Sequence, residues 1–429
     1  MSTSAAKGRA GLAADAGAVI ASSLTVRLAF LWFKGPRAFS MDLGAWLEAG
    51  WRMAEGKNPY LATGYFVWPP LWVQILYVLQ RISAVTRVKH ELVIVAFLMA
   101  VECALTVALL ALLREVGVPR RASRALALAG IALNPVCVIL VCQHGNFDVL
   151  VALLVLLAVA ALLRHGRSGE DVDWIAACLW LGLAIALKSA PALLLPLLLS
   201  GARRLPARGR LLGGALAVGP AAYAIGALHV LRAGDVGIIL RYRSIPGWFG
   251  ATGWFHRLGH DEWMLPYSWA AQIAILACAI GLGVLAWRGR LDPRGIVAGA
   301  ALLLAAVPGI GPGYGPQYFY WFWPLVLVAF ALGGGWLRRA VVVFGAVAAV
   351  TYLFEYAVVG FLGAFLAMRF PRAMDAFFGP PPGSIPVFTL VGTPLWLAYL
   401  LLIAALAREA FGRVTEARVR VEPLATRTA

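Results

Sequence analysis

Charge is what this sequence has least of. Only 13% of its 429 residues are Asp, Glu, Lys or Arg, about half the share of a soluble domain, while 62% are hydrophobic and the mean hydropathy is +0.82. So few solvated side chains cannot cover a chain of this length with a water-facing surface, which excludes an ordinary soluble enzyme and leaves a bilayer as the solvent. Metal-binding patterns are missing too. The five cysteines, Cys103, Cys137, Cys142, Cys178 and Cys278, are scattered through apolar runs without ligand spacing, and no dense histidine cluster occurs. No metal and no other cofactor is therefore expected. A phosphate-loop lysine motif, a dinucleotide fingerprint, a sequence repeat and an extended soluble domain are likewise absent.

The scarce charge is one-sided, at a net +17, and lies in short clusters between apolar runs: Arg120, Arg121 and Arg124; Arg203, Arg204, Arg208 and Arg210; Arg288, Arg290 and Arg294; Arg338 and Arg339. This is how a polytopic membrane protein distributes its cytoplasmic charge, with anionic headgroups as partner and no nucleic acid implied. The first apolar run has no short hydrophobic core followed by a cleavage site, so it is expected to stay as a helix. The Ala, Gly and Arg bias fits a bacterium with a GC-rich genome.

The reading is an all-α, single integral-membrane domain over 1–429. Its candidate spans are 14–34, 66–82, 91–113, 125–142, 148–163, 174–200, 211–230, 267–286, 295–309, 321–336, 340–363 and 388–407, about 11–13 membrane helices when short and broken ones are counted. Lys188, Pro191 and Pro196 interrupt 174–200, which is expected to be a broken hairpin. Lys7 and Arg9 put the N-terminus inside and the 35–65 loop outside, and the tail at 408–429 is cytoplasmic. The loops at 231–266, 310–320 and 364–386 also fall outside. Arg81, Arg87 and Lys89 before the 91–113 run conflict with Arg114, Arg120, Arg121 and Arg124 after it, because one crossing cannot have both ends inside.

Several segments carry more polarity than a connector needs. Asp42 opens DLGAWLEAGWRMAE, an amphipathic stretch suited to an interfacial helix in the first external loop. Its carboxylate suits either a helix cap or a general base on an acceptor hydroxyl. Asn58, Pro59 and Tyr60 form a turn, and Trp68-Pro69-Pro70 stiffens the return to the bilayer. Between two apolar runs, Gln143, His144, Asn146 and Asp148 either satisfy one another in a turn or line a ligand site. In the second case His144 faces a phosphate, Gln143 and Asn146 face sugar hydroxyls, and Asp148 orients His144 or caps the next helix. Lys188, inside an apolar run, faces a lipid phosphate or snorkels. Arg241, Arg243, His256, Arg257 and His260 sit in a glycine-aromatic loop that reads as a lid or as a headgroup anchor. Tyr314, Gln317, Tyr318 and Tyr320 are the polar members of a second aromatic segment.

In order along the chain, Asp42, Glu55-Gly56-Lys57-Asn58-Pro59-Tyr60, Trp68-Pro69-Pro70-Leu71, Gln143-His144-Gly145-Asn146, Leu187-Lys188-Ser189 with Pro191, and Gly315-Pro316-Gln317-Tyr318-Phe319-Tyr320-Trp321 resemble the GT-C superfamily of integral-membrane glycosyltransferases. The likeness is to the polyprenol-phosphate-mannose-dependent group, family 87. That resemblance implies an inverting, multi-pass transferase of a bacterial cell membrane. It would move a sugar, by family weight mannose, from a polyprenyl-phosphate donor to a glycolipid or polysaccharide hydroxyl on the external face. It implies Asp42 as base and His144 and Lys188 on the donor phosphate, with Arg241 and Arg243 as helpers. Gln143, Asn146, Asp148, Tyr60, Gln317, Tyr318 and Tyr320 are the expected sugar or acceptor contacts. Trp68 stands where Tyr is common in the family, and no acidic residue comes immediately after Asp42. A transporter or flippase of a lipid-linked saccharide, or a non-catalytic assembly partner, fits the same polar interior.

Overall fold

The apolar runs are helices. The structure, a computed structural model, describes residues 3–34, 41–61, 68–203, 205–230, 249–359 and 387–421, and no strand occurs among them. Seven of its helices are long and apolar enough to cross a bilayer: Gly11–Phe33, His90–Glu115, Asp148–Ser168, Asp261–Trp287, Pro293–Ile310, Gly335–Tyr356 and Gly392–Gly412. A pair bent by 42°, Arg120–Ala132 with Pro135–His144, makes eight when taken as one span. Shorter apolar helices, such as Ala190–Ala202 and Pro316–Leu332, account for other runs read as spans from the sequence. The protein is an all-α, polytopic membrane protein.

The chain forms two compact units, Met1–Ala192 with Leu205–Tyr242, and Leu193–Arg204 with Arg243–Ala429. In the first unit, α1 (Thr3–Lys34) packs on α4 (His90–Glu115). Arg114 near the end of α4 donates to the Gly11 carbonyl at 3.4 Å, and Arg114, Arg120 and Arg124 converge on the Asp15 carboxylate. The start of α1 thus lies beside the end of α4, so the end of α1 and the start of α4 share the opposite face.

The chain therefore leaves α1 and enters α4 on one side, and α3 (Pro70–Thr86) is not among the helices long and apolar enough to cross. This corrects the expected span at 66–82. At 17 residues α3 is about 25 Å long, short of a typical span, and it packs along α2 (Met41–Ala54) instead. Gly50 of α2 permits the approach, since a Cβ there would lie 2.6 Å from the His90 ring and 3.3 Å from the Leu76 carbonyl. The charge conflict resolves with it. Arg114, Arg120 and Arg124 belong with the N-terminus, and Arg81, Arg87 and Lys89 lie toward the other face.

After the bent pair, made of α5 (Arg120–Ala127), a π turn, α6 (Pro135–Ile139) and a second π turn to His144, the chain runs back through α7 (Asp148–Ser168). Arg164 and Arg167 near the end of α7 reach Glu115 at the end of α4. Helix α8 (Asp171–Leu187) breaks at Lys188, which is extended with φ −157 and ψ 140, three residues before the proline that sequence reading held responsible. A 3-10 helix, Ala190–Leu198, and the short α9 (Leu199–Ala202) follow.

Helix α10 (Ala207–Val230) then packs on α8 in the same sense, Trp174 over Gly213 and Gly182 over Leu216 and Ala217. Residues 188–206 must therefore return the chain to the end where α8 began, which is the broken hairpin expected at 174–200. Helices approach this closely in lipid when small residues line the contact. A Cβ at Gly182 would sit 2.1 Å from the Leu216 carbonyl oxygen, whereas Gly214 has nothing within 4 Å. Gly182→Ala is expected to cost roughly 1–3 kcal/mol through overpacking. It should lower the thermal midpoint in detergent, while Gly214→Ala leaves that midpoint unchanged.

The second unit packs α13 (Pro293–Ile310) against α14 (Phe319–Leu332) and α16 (Val387–Val421), with α15 (Gly335–Leu353) also on α16. Between these come α11 (Gly250–Arg257) and α12 (Met264–Trp287). Phe319, Phe322, Phe344, Tyr352 and Tyr399 are fully buried and stack edge to face or in tilted pairs.

Candidate active site

The polar centre of the first unit forms where α2 meets the turn between α6 and α7. Asp42 stands in the first turn of α2, as the amphipathic pattern predicts. Its carboxylate Oδ2 lies 3.1 Å from His144 Nε2 and 3.3 Å from Asn146 Nδ2. These contacts tie Asp42 to residues more than a hundred positions away.

The turn has local causes. A π turn at Leu140–His144 ends on Gly145, whose φ of +67 is left-handed backbone that glycine adopts without cost. Gly145 also lies against Leu43, which is fully buried beside Asp42. Asn146, itself fully buried, does three things at once. Its N–H donates to the Leu140 carbonyl at 3.1 Å, its Oδ1 accepts from the Asp148 N–H at 2.9 Å, and its Nδ2 reaches Asp42. The Asn146 side chain thus holds the first amide of α7.

Asp148 is fully buried and pairs with Lys188, whose Nζ lies 3.2 Å from Oδ1 and 3.4 Å from Oδ2. It is a counter-ion for this ammonium. The break after α8 is what frees Lys188 to reach inward. The same ammonium stands 5.3 Å above the Phe147 ring, a cation–π distance. Phe147 stacks on Trp72 at 4.5 Å and meets Trp46 edge-on at 5.7 Å, while Trp46 also contacts Trp72 and Trp68. This aromatic wall joins α2, α3 and the turn, and it holds Asp42 and Lys188 on a common frame.

Two opposed effects act on Asp42. Burial pushes its carboxyl up, but the hydrogen bond and charge of His144, the charge of Lys188 and the Asn146 amide together hold it below the usual carboxylate range. At neutral pH it is an anion with no proton to give, so His144 donates through Nε2. The site thus offers an ionised carboxylate, an imidazole and an ammonium close together beside a stack of aromatic rings.

The other expected site residues fall as follows. Gln143 is half-buried on the π turn next to His144. The Tyr60 phenol donates to the Trp68 carbonyl at 3.0 Å and its N–H to Asn58 Oδ1 at 2.9 Å, so Tyr60 fastens the return from α2 to α3, and burial keeps it protonated. Gln317, Tyr318 and Tyr320 belong to the second unit, where Tyr318 stacks on Trp321 at 4.1 Å and Tyr320 is fully buried. His256 and His260 pair with Asp261 and Glu262 on that unit's surface. Arg241 and Arg243 lie outside the described residues.

Sequence reading passed over Phe147 and Trp72 in the aromatic wall, and over Arg27 and Glu102, a fully buried ion pair between α1 and α4. The signal of Arg27 and Glu102 was legible: each is a charge inside an apolar run. Among the described residues no group of three or more His, Cys, Asp or Glu could hold a metal ion.

No curated protein matches the chain. A family model does: glycosyltransferase family 87 matches residues 66–308, more than half of the sequence and the part that includes His144, Asn146, Asp148 and Lys188. This multi-pass membrane protein, with its carboxylate, imidazole and ammonium gathered at one end of a helical unit, belongs to glycosyltransferase family 87.

Proposed function

We propose that the protein transfers a sugar, with mannose the leading choice, from a polyprenyl-phosphate donor to a hydroxyl of a glycolipid or polysaccharide, with inversion at the anomeric carbon. The observation that carries this reading is the Asp42 carboxylate, held ionised by His144 and Asn146 within reach of the Lys188 charge. A basic group and a fixed cation are what a displacement at an anomeric carbon requires. The acceptor oxygen attacks that carbon, its proton passes to Asp42, and the carbon–oxygen bond to the donor phosphate breaks. The departing polyprenyl phosphate carries the negative charge, which Lys188 and His144 stabilise. A carboxylate this weakly basic suffices because the hydroxyl becomes acidic as its new bond forms.

Orientation supports the same reading. By the positive-inside rule the Arg114, Arg120 and Arg124 end of the first unit faces the cytoplasm, which puts Asp42 and His144 toward the exterior of a bacterial cell membrane. Arg241 and Arg243 are proposed helpers at the phosphate. Gln143 is a proposed sugar contact, and Asp148 acts through Lys188.

The test is transfer of labelled sugar by purified protein from a panel of polyprenyl-phosphate sugars to extracted envelope glycolipids, with the product's anomeric configuration read by NMR. Transfer with an inverted linkage is expected. Movement of donor across a vesicle membrane without its consumption would instead mark a flippase.

The pH dependence has a defined sign. Activity needs ionised Asp42, so kcat/KM holds as pH falls and is lost only below the usual carboxylate range. His144→Ala or Asn146→Ala removes a group that lowers the carboxyl while burial still raises it. In either variant the acid limb of kcat/KM against pH should therefore move to higher pH.

A further inference from the structure

We propose that Arg27 is a positioning residue for the site: with Glu102 as its counter-ion, it fixes the break between α5 and α6 and so aims the helical segment that presents His144 and Asn146 to Asp42. The inference rests on the proposed role of Asp42.

Both side chains of the pair are fully buried in the membrane-spanning part of the first unit, Arg27 on α1 and Glu102 on α4. Ionisable groups at such a depth are costly and persist where they have a task. An ion pair holding two helices together needs only the contact between its own charges. Arg27 does more. Its Nη1 donates to the Ala132 carbonyl at 2.6 Å and to the Ser23 carbonyl at 3.2 Å, and its Nη2 donates to the Ile131 carbonyl at 3.3 Å.

Ile131 and Ala132 are the last residues before the 42° bend; the Ile131 carbonyl keeps one long backbone contact, 3.3 Å from the Asn134 N–H, while the Val136 amide that a continuous helix would offer to Ala132 is turned to the Asn134 side chain. Asn134 serves the neighbouring one, donating to the Gly130 carbonyl at 3.1 Å while its Oδ1 caps α6 by accepting from the Val136 N–H. In lipid every such carbonyl must find a partner. The bend is therefore written in two side chains, one local and one from a distant helix.

From the bend, Pro135–His144 runs about 15 Å to the site. A few degrees of rotation at its base displaces His144 by an appreciable fraction of an ångström, enough to spoil a 3.1 Å contact. Arginine suits the task and lysine does not, because a planar fork with five donors serves a carboxylate and several carbonyls together.

The variant that separates positioning from mere stability is R27M/E102M, which removes both buried charges and leaves apolar side chains in their place; such replacements are commonly neutral for folding. Two readouts apply. The first is transfer by the fraction that purifies monodisperse: kcat is expected to fall at least tenfold with donor KM little changed, and the acid limb of the pH profile to move up as Asp42 loses His144. The second is independent of activity: cysteines at 42 and 144, in a background lacking the five native ones, are bridged by a short bis-methanethiosulfonate reagent in membranes. Bridging should be efficient with Arg27 and fall severalfold in R27M/E102M.

If the double variant does not survive purification, R27K carries the same readouts, because it keeps a charge for Glu102 but cannot serve both carbonyls. It is expected to bridge less and to turn over more slowly. Parent-level kcat, acid limb and bridging in the purified variant would overturn the proposal. Failure of the transferase reading is distinguishable, since it leaves the bridging difference intact and appears as absence of transfer in the parent itself.

Discussion

Asp42→Asn should leave a folded, membrane-inserted protein that no longer transfers sugar, with kcat lower by roughly 10²–10⁴-fold, the range that a positioned general base contributes. Asparagine keeps the shape of the side chain and one acceptor oxygen, so the contacts to His144 Nε2 and Asn146 Nδ2 can persist. The substitution also removes a half-buried charge that His144 and Lys188 stabilise, so a modest fall in the thermal midpoint accompanies it. What it removes is the lone pair that accepts the acceptor's proton, and an amide oxygen is too weak a base to replace it. The measurement is single-turnover transfer of labelled sugar alongside the thermal midpoint and the gel-filtration profile in detergent. Transfer within about threefold of the parent would eliminate Asp42 as base. A collapsed gel-filtration profile would assign it a structural role instead.

Lys188→Ala is expected to be damaging in two ways that a second substitution separates. Asp148 is fully buried, and removing its cation leaves an uncompensated charge in the interior, which costs roughly 3–5 kcal/mol. Cation and anion removed together, in K188M/D148L, should recover most of that stability. Transfer should not recover, because the donor phosphate then meets no ammonium. The thermal midpoint read beside labelled-sugar transfer therefore yields a folded but inactive double variant if Lys188 serves the phosphate. An active double variant would reduce the pair to a structural tie.

The candidate site was legible in part, and for a clear reason. Asp42, His144, Asn146, Asp148 and Lys188 stand out because polar side chains in apolar runs are expensive unless used, and that rule needs no neighbours to apply. It could not say which of them meet. Asp148, read as a partner of His144 or a helix cap, meets Lys188 as its counter-ion, while Asn146 accepts from the first amide of α7 and reaches Asp42 as well. Hydrogen bonds between residues a hundred positions apart leave no mark on local pattern. Arg27 and Glu102 obeyed the same rule, yet their meaning depended on the bend at Ile131 and Ala132, which no periodicity announces.

By itself the sequence determined the solvent, the fold class and a break within 174–200, since hydropathy, charge scarcity and an interrupted apolar run are properties of neighbouring residues. Only the tertiary structure decided that Pro70–Thr86 lies along α2 instead of crossing. A 17-residue apolar helix satisfies its backbone equally well through a membrane or along it, and the choice is made by where its ends are held. Here Asp15 ties the start of α1 to the end of α4, and Gly50 seats α2 against His90. Those contacts put both ends of the loop on one face, and Asp42 with it.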